Sequence, residues 1–496
     1  MTEPATQPSM IDAETRRRAI GQAQARGIRL PTFRELSAPD AIPAAISERL
    51  AAIDPDAADP MNLWRIHWYN GADRRSRAEI PGHLVLPKEL TGTDATIVVM
   101  LGNRFPMIGA HKVLPAYAGL VAELVTGRFD PGHHRAVWPS TGNYCRGGIA
   151  VSRILGCSGI AVLPEGMSRE RFEWLERWVT SPEDIVRTPG TESNVKEIYD
   201  ACHELARHDE NVILNQFSAF TNYVAHRAVT GPACEHVFRH LRTRNPHLAL
   251  SAFVSATGSA GTIAAGDHLK AGHGTRIAAV EALECPTLLE NGYGEHNIQG
   301  IGDKHVPLIH NVMNTDFAIA VSDRASDHLN LMIASEAGRG YLARRRRVDP
   351  ELIAQLDEIG ISGLANIVAA IKLAKYMRYG ADDVVMTIAT DSAAMYRTER
   401  EAFAARHYPD GFDEIDAGTV FGEFIAGAAP DAVLELGFPD RRRIFNLGYY
   451  TWVEQQGIPL DRFEARKHQT FWDELFDQRA DWDRLIDEFN ALADGN

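Results

Sequence analysis

Lys112 ends the run Phe105-Pro-Met-Ile-Gly-Ala-His-Lys112, Asn143 ends Pro139-Ser-Thr-Gly-Asn143, and Gly258-Ser-Ala-Gly-Thr262 follows much later. A lysine among small and apolar neighbours such as Ala110 and Val113 can lose its charge by desolvation, and a neutral amine can form a Schiff base with a carbonyl. Taken alone, such a lysine is more often a surface residue. Gly258 and Gly261, with Ser259, Ala260 and Thr262, lie between an apolar run and the helical stretch 263–270, where backbone N–H groups can converge on a phosphate. Small residues at that place also serve tight strand–helix packing, and the loop lacks the endings of a nucleotide P-loop or a dinucleotide fingerprint. Ser140-Thr-Gly-Asn143 offers hydroxyls and backbone donors suited to a carboxylate, or a plain N-cap for a helix beginning near Gly147. Amine, amide and phosphate turn together suit a phosphorylated aldehyde cofactor.

The elements that must position these groups alternate. Short apolar runs at 96–101, 149–154, 159–163, 248–254, 277–281 and 384–388 alternate with helical patterns such as the charged amphipathic stretch 168–178. This alternation predicts parallel strands covered by helices, in an α/β architecture of two doubly wound lobes. Residues 1–90 read as an N-terminal extension with the aromatic segment 63–69, residues 91–400 as the core with a smaller lobe over roughly 130–230, and residues 401–496 as a C-terminal helical extension carrying Phe471, Trp472, Phe476 and Trp482.

The chain has 496 residues, 45% hydrophobic and 24% charged, with a formal net charge of −15. That balance argues against nucleic acid or anionic lipid as the main partner. Four arginines from Arg344 to Arg347 read as a solvated helix end, with an anion or subunit contact as the minority reading. Cys145, Cys157, Cys202, Cys234 and Cys285 show no paired spacing, which fits a reducing compartment. No run approaches the about 18 apolar residues of a spanning helix, so a cytoplasmic protein is expected. Neither His133-His134 nor the other histidines form a convincing metal geometry, and no metal is expected.

Further motifs join the first three in order: Leu163-Pro-Glu-Gly-Met-Ser-Arg-Glu-Arg171, Asn215-Gln-Phe-Ser218, Thr230-Gly-Pro232, Ile298-Gln-Gly-Ile-Gly302 and Gly360-Ile-Ser-Gly363. With Ser-Thr-Gly-Asn143 they make the chain resemble the fold-type II, pyridoxal 5′-phosphate (PLP) dependent enzymes of the cysteine synthase and cystathionine β-synthase family. Gly109-Ala-His-Lys112 is closer to the lysine segment of the tryptophan synthase β subunit. The resemblance spans roughly residues 105 to 396 and leaves both extensions uncovered.

The resemblance implies that Lys112 carries PLP and moves the substrate's proton, and that Asn143 binds the cofactor's 3′-oxygen. It implies that Gly258, Ser259, Ala260, Gly261 and Thr262 hold the phosphate, with His111 touching it. Ser140, Thr141, Gly142 and Gln216 would bind the substrate carboxylate, and Tyr144, where cysteine synthases commonly have threonine, would shape the substrate pocket. Ser362 would face the pyridine nitrogen, with Ser392 in reserve because Asp391-Ser392 resembles a family loop whose following Gly-Glu-Arg is absent here. Cys145 reads as a buried small hydrophobe before a nucleophile. The implied activity is β-elimination or β-replacement on a serine- or cysteine-like amino acid through an aminoacrylate. A non-catalytic metabolite-binding subunit is the alternative, a nucleotide-binding oxidoreductase a remoter one, and a homodimer is expected.

Overall fold

The computed structural model describes residues 7–495. Eleven strands lie in two sheets: β1 (His83–Leu86), β2 (Thr96–Leu101), β3 (Arg135–Pro139), β4 (Ser158–Pro164), β5 (Ile185–Thr188), β6 (Asn211–Ile213), β7 (Ala249–Ala256), β8 (Arg276–Ala282), β9 (Phe317–Val321), β10 (Asp383–Ala389) and β11 (Val433–Glu435). The larger sheet runs β1-β2-β10-β7-β8-β9-β11 and the smaller β5-β4-β3-β6. Every pairing is parallel except the two outermost of the larger sheet, β1 with β2 and β11 with β9.

The interior strands are continuous apolar runs because helices cover both faces, so no polar alternation is needed. In β2, five of six residues are buried, and Phe317-Ala-Ile-Ala-Val321 of β9 is buried throughout. The helix Val113–Thr126 is buried along its whole length, and it belongs to a core shared by residues of both sheets, including Val98, Ala136, Leu163 and Phe253. Lys112 stands at its N-terminal end.

Two expectations need correction. The run 149–154 belongs to the helix Asn143–Leu155, not to a strand; nearly all of that helix is buried, so its apolar residues encircle it and hide the 3.6-residue period. The same helix begins at Asn143 and not near Gly147. Each flanking extension holds helices, as expected, and also supplies an edge strand to the larger sheet, β1 from the first and β11 from the last.

The two extensions meet. Asn490, in the helix Arg479–Ala493, accepts from Leu30 N at 2.8 Å and donates to Leu30 O at 2.8 Å, and Asp483 accepts from Phe33 N at 2.7 Å. Trp64, Trp472 and Trp482 are buried in this chain's own cores. Arg344 and Arg345 share Glu414 in exposed ion pairs, and Arg346 donates to Glu89 O. The five cysteines are all unpaired.

Candidate active site

Parallel strands end together, and the loops that leave their carboxyl ends converge in the crevice between the two sheets. β3 leads into Ser140–Asn143, β6 into Gln216, β7 into Gly258–Thr262 and β10 into Thr390–Ser392. Lys112 caps the helix Val113–Thr126 at the same place. Its Nζ donates to Gln216 Oε1 at 3.0 Å and Ser259 Oγ at 3.1 Å, so the amine ties one loop of each sheet together. Burial lowers the Lys112 pKa to about 8, although the nearby Asp303 and Glu192 carboxyls pull it the other way. An amine so poised is neutral often enough near neutral pH to act as nucleophile and base.

The turn after β7 is shaped for an anion. Ala260 adopts φ +62°, a left-handed conformation that costs a non-glycine residue about 1 kcal/mol and needs surrounding structure to hold it. Ser259 Oγ supplies part of that hold by accepting from Asn222 Nδ2 at 3.2 Å and Gly261 N at 3.4 Å. Among the described residues, the N–H groups of Gly258, Ser259, Ala260 and Thr262 donate to no other protein group. They precede the 11-residue helix Ile263–His273. A Cβ at Gly258 would run into Gly300 O, and one at Gly261 into Asn222 Oδ1, so the backbone itself forms the wall. Free N–H groups, a helix N-terminus and a buried amine across the crevice fit a phosphorylated aldehyde.

The loop after β3 depends on Gly142, whose φ of +144° excludes most side chains and whose missing Cβ leaves room for Arg171. Ser140 Oγ accepts from Gly142 N at 2.9 Å. Asn143 donates to Asp391 Oδ2 at 2.7 Å and accepts from Arg146 Nη1 at 2.8 Å, which fixes its amide orientation. Behind it, Tyr396 OH donates to Asp391 Oδ2 at 2.9 Å and accepts from Arg171 Nη2 at 3.0 Å, and all three are fully buried. Burial raises the Asp391 pKa, while Arg171 and the hydrogen bonds from Asn143 and Tyr396 oppose that rise.

Of the remaining expected site residues, His111 lies beside this centre. Its Nε2 sits 3.3 Å from Thr390 Oγ1, its ring packs on Trp68 and His226, and its buried Nδ1 has no partner. Burial pushes His111 well below its ordinary pKa and His226 to about 3, so both rings are neutral at pH 7. Thr262 Oγ1 lies 2.6 Å from Ser255 Oγ. Ser362 is buried in the first turn of the helix Ile361–Met377, whose cap residue Gly360 donates to Asp391 O at 2.9 Å. Ser392 instead lines a separate cleft with Arg104, Ile108, Arg146 and Trp174. Tyr144 is a packing residue: its hydroxyl donates to Leu214 O at 3.1 Å and its ring meets Trp138 edge-on. Cys145 donates to Gly142 O, and burial pushes its thiol to about 12, which suppresses nucleophilic thiolate.

The sequence reading assigned no role to Glu192, Asp303, Arg171 or Asp391. Glu192 is buried, its carboxyl meets Thr141 and the Gly300 N–H, and burial raises its pKa to about 7. Asp303 is raised well above its ordinary range by burial and by Glu192, with Lys112 opposing. Glu192 Oε2 and Asp303 Oδ2 both lack partners. Arg171 and Asp391 sat inside quoted motifs, and Asp303 follows Gly302 directly. Glu192 carries no local signal, because only the fold brings its loop to Thr141.

The family model described as pyridoxal-phosphate dependent enzyme matches residues 86–391. Cysteine synthase B of Campylobacter jejuni is 32% identical over 255 residues, covering 50% of this chain and 74% of that protein. Cysteine synthase 3 of Caenorhabditis elegans is 27% identical over 325 residues, covering 64% and 86%. Among solved structures, a hydrogen sulfide-producing enzyme from Fusobacterium nucleatum has a TM-score of 0.52 at 20% identity, covering 64% of this chain and 96% of that one. The O-acetylserine dependent cystathionine β-synthase from Helicobacter pylori has a TM-score of 0.51 at 22% identity, covering 64% and 94%. These structures share the fold over about two thirds of the chain. By sequence match, by its mixed α/β core and by a crevice fitted to a phosphorylated aldehyde, the chain belongs to the pyridoxal-phosphate dependent enzymes of fold type II, with PLP as its cofactor.

Proposed function

We propose that the protein catalyses β-elimination or β-replacement on a serine- or cysteine-like α-amino acid. The observation that carries this reading is the buried Lys112 amine held between Gln216 and Ser259, at the mouth of a phosphate turn and beside the Ser140–Asn143 loop. Likeness to cysteine synthases supports the substrate class.

PLP, when bound, supplies an electron sink for the pair left at the substrate's α-carbon. The protein's own residues do the rest. With PLP bound, backbone N–H groups of Gly258 to Thr262 would hold the phosphate, Asn143 would present its amide to the 3′-oxygen, and Ser362 would face the pyridine nitrogen. Ser140, Thr141 and Gly142 bind the α-carboxylate, supported by Gln216, which fixes the α-proton's direction. Lys112 Nζ, neutral near its pKa of about 8, takes that proton. A purely ligand-binding subunit would have no use for the tuned amine. A reducing cytoplasmic setting, which five unpaired cysteines support, and a homodimer complete the proposal.

The test is α-proton exchange in deuterated water with serine, cysteine and O-acetylserine in turn, followed by assays for pyruvate, ammonia and, with sulfide, cysteine. Exchange with at least one substrate, abolished in Lys112→Ala, supports the reading. No exchange with any of them in cofactor-loaded protein refutes it.

A further inference from the structure

Outside the active site, a buried guanidinium lines a cavity and makes no ion pair among the described residues. It belongs to Arg466, which follows the helix Leu460–Ala465 and is 3% exposed. Nearby Glu464 is taken by Lys467. One guanidinium nitrogen, Nη1, donates to Leu308 O at 2.6 Å, while the buried Nε has no partner. The guanidinium packs against Phe463 and Phe445, with centroids 4.4 and 4.9 Å away. Ring faces favour a cation but leave its N–H groups unsatisfied. A buried charge with a vacant donor costs several kcal/mol unless something supplies an acceptor. Burial has already drawn the Arg466 pKa down to about 9.

Arg466 lines a cavity of about 260 Å³ whose other walls include Phe220, Leu308, Phe471 and Leu475, with Ile458 toward the outside. The cavity thus joins apolar walls to two arginines, Arg462 and Arg466, and one carboxylate, Glu474, so its formal charge is net positive. A guanidinium is suited to charge-assisted hydrogen bonds with a carboxylate.

We propose that this cavity is a binding site for a small carboxylate with an apolar body, held by Arg466 and packed against Phe220, Leu308 and Leu475. The site belongs to the junction between core and C-terminal extension, away from Lys112, and it stands whatever the substrate of the active site. It also touches Ser218, two residues along the loop from Gln216, which accepts the hydrogen bond from Lys112 Nζ.

Calorimetric titration of the PLP-loaded protein with 3-phenylpropanoate tests this, with 3-phenylpropan-1-ol as the uncharged twin. The expected result is one saturable site per chain for the acid and binding at least about ten-fold weaker for the alcohol. Arg466→Gln should weaken the acid at least about ten-fold. Because that variant disturbs the Leu308 contact and can fail to fold, Ile458→Trp is the second variant: it fills the cavity from its half-buried side, leaves Arg466 in place, and should weaken binding equally with the cofactor's absorption spectrum retained. No saturable binding up to about 10 mM overturns the proposal. Equal binding of acid and alcohol, or binding that survives Ile458→Trp and is displaced by an active-site amino acid, overturns it too.

Discussion

Replacing Glu192 with glutamine should stabilise the cofactor-free protein at alkaline pH and leave it nearly unchanged in acid. The carboxyl is held at about 7 against an ordinary 4.5, chiefly by burial. Below pH 4.5 it is protonated in folded and unfolded chains alike and contributes no difference. Between pH 4.5 and 7 the unfolded chain releases the proton first, so stability falls as pH rises; above 7 the loss is complete. At about 1.4 kcal/mol per pH unit the loss reaches roughly 3 kcal/mol. Glutamine keeps an acceptor for Thr141 and the Gly300 N–H but has no charge to desolvate. With an unfolding entropy of about 2.1 cal/mol/K per residue over 496 residues, this corresponds to roughly 3 °C in melting temperature. Scanning calorimetry at pH 5 and pH 8 reads it directly: the variant's advantage should grow by roughly 2 °C between them. An advantage independent of pH, or a variant less stable at pH 8, refutes the reasoning that Glu192 is a desolvated acid.

Three further outcomes follow from the same geometry. Lys112 in cofactor-free protein should react with amine reagents along a titration curve centred near pH 8, against about 10.5 for an unperturbed lysine, as peptide-resolved labelling would show; a midpoint above 10 contradicts a buried amine. Gly261→Ala should weaken PLP binding at least about ten-fold, because the added Cβ meets Asn222 Oδ1 and shifts the phosphate turn. Equilibrium dialysis giving unchanged affinity would show that the turn does not hold the phosphate. Asp391→Ala should destabilise the protein by about 3 kcal/mol, since it leaves Arg171 buried without its carboxylate and frees Asn143 Nδ2, and should lower cofactor affinity as well; denaturation and dialysis read both.

Much of the fold was legible because parallel strands buried on both faces, such as 96–101 and 384–388, appear as unbroken apolar runs between amphipathic helices. The same physics misled at 149–154, where an all-round buried helix also reads as an apolar run. Edge strands His83–Leu86 and Val433–Glu435 are too short to announce themselves, and they pair only because the sheet offers them an edge. In the candidate site, Lys112, Asn143 and Gly258–Thr262 stood out because an amine, an amide and small residues at loop ends are the types such chemistry would use, and the fold brings their loops to one crevice. Tyr144 looked like a pocket residue from its neighbours in sequence, yet its helix turns its hydroxyl onto Leu214 O. Glu192 and the Asn143–Asp391–Tyr396 network depend on loops that meet only in three dimensions. The unpaired guanidinium of Arg466 is equally a tertiary property, since the sequence around it, Phe463-Glu-Ala-Arg-Lys467, reads as an ordinary charged surface helix.

The central claim is that Lys112 carries the cofactor. Reduction of the PLP-loaded protein with borohydride, followed by digestion and peptide mass spectrometry, tests it most directly. The account predicts one phosphopyridoxyl adduct per chain, located on Lys112, with none formed in Lys112→Ala. An adduct on another lysine, or no adduct in protein that shows bound PLP, would contradict it.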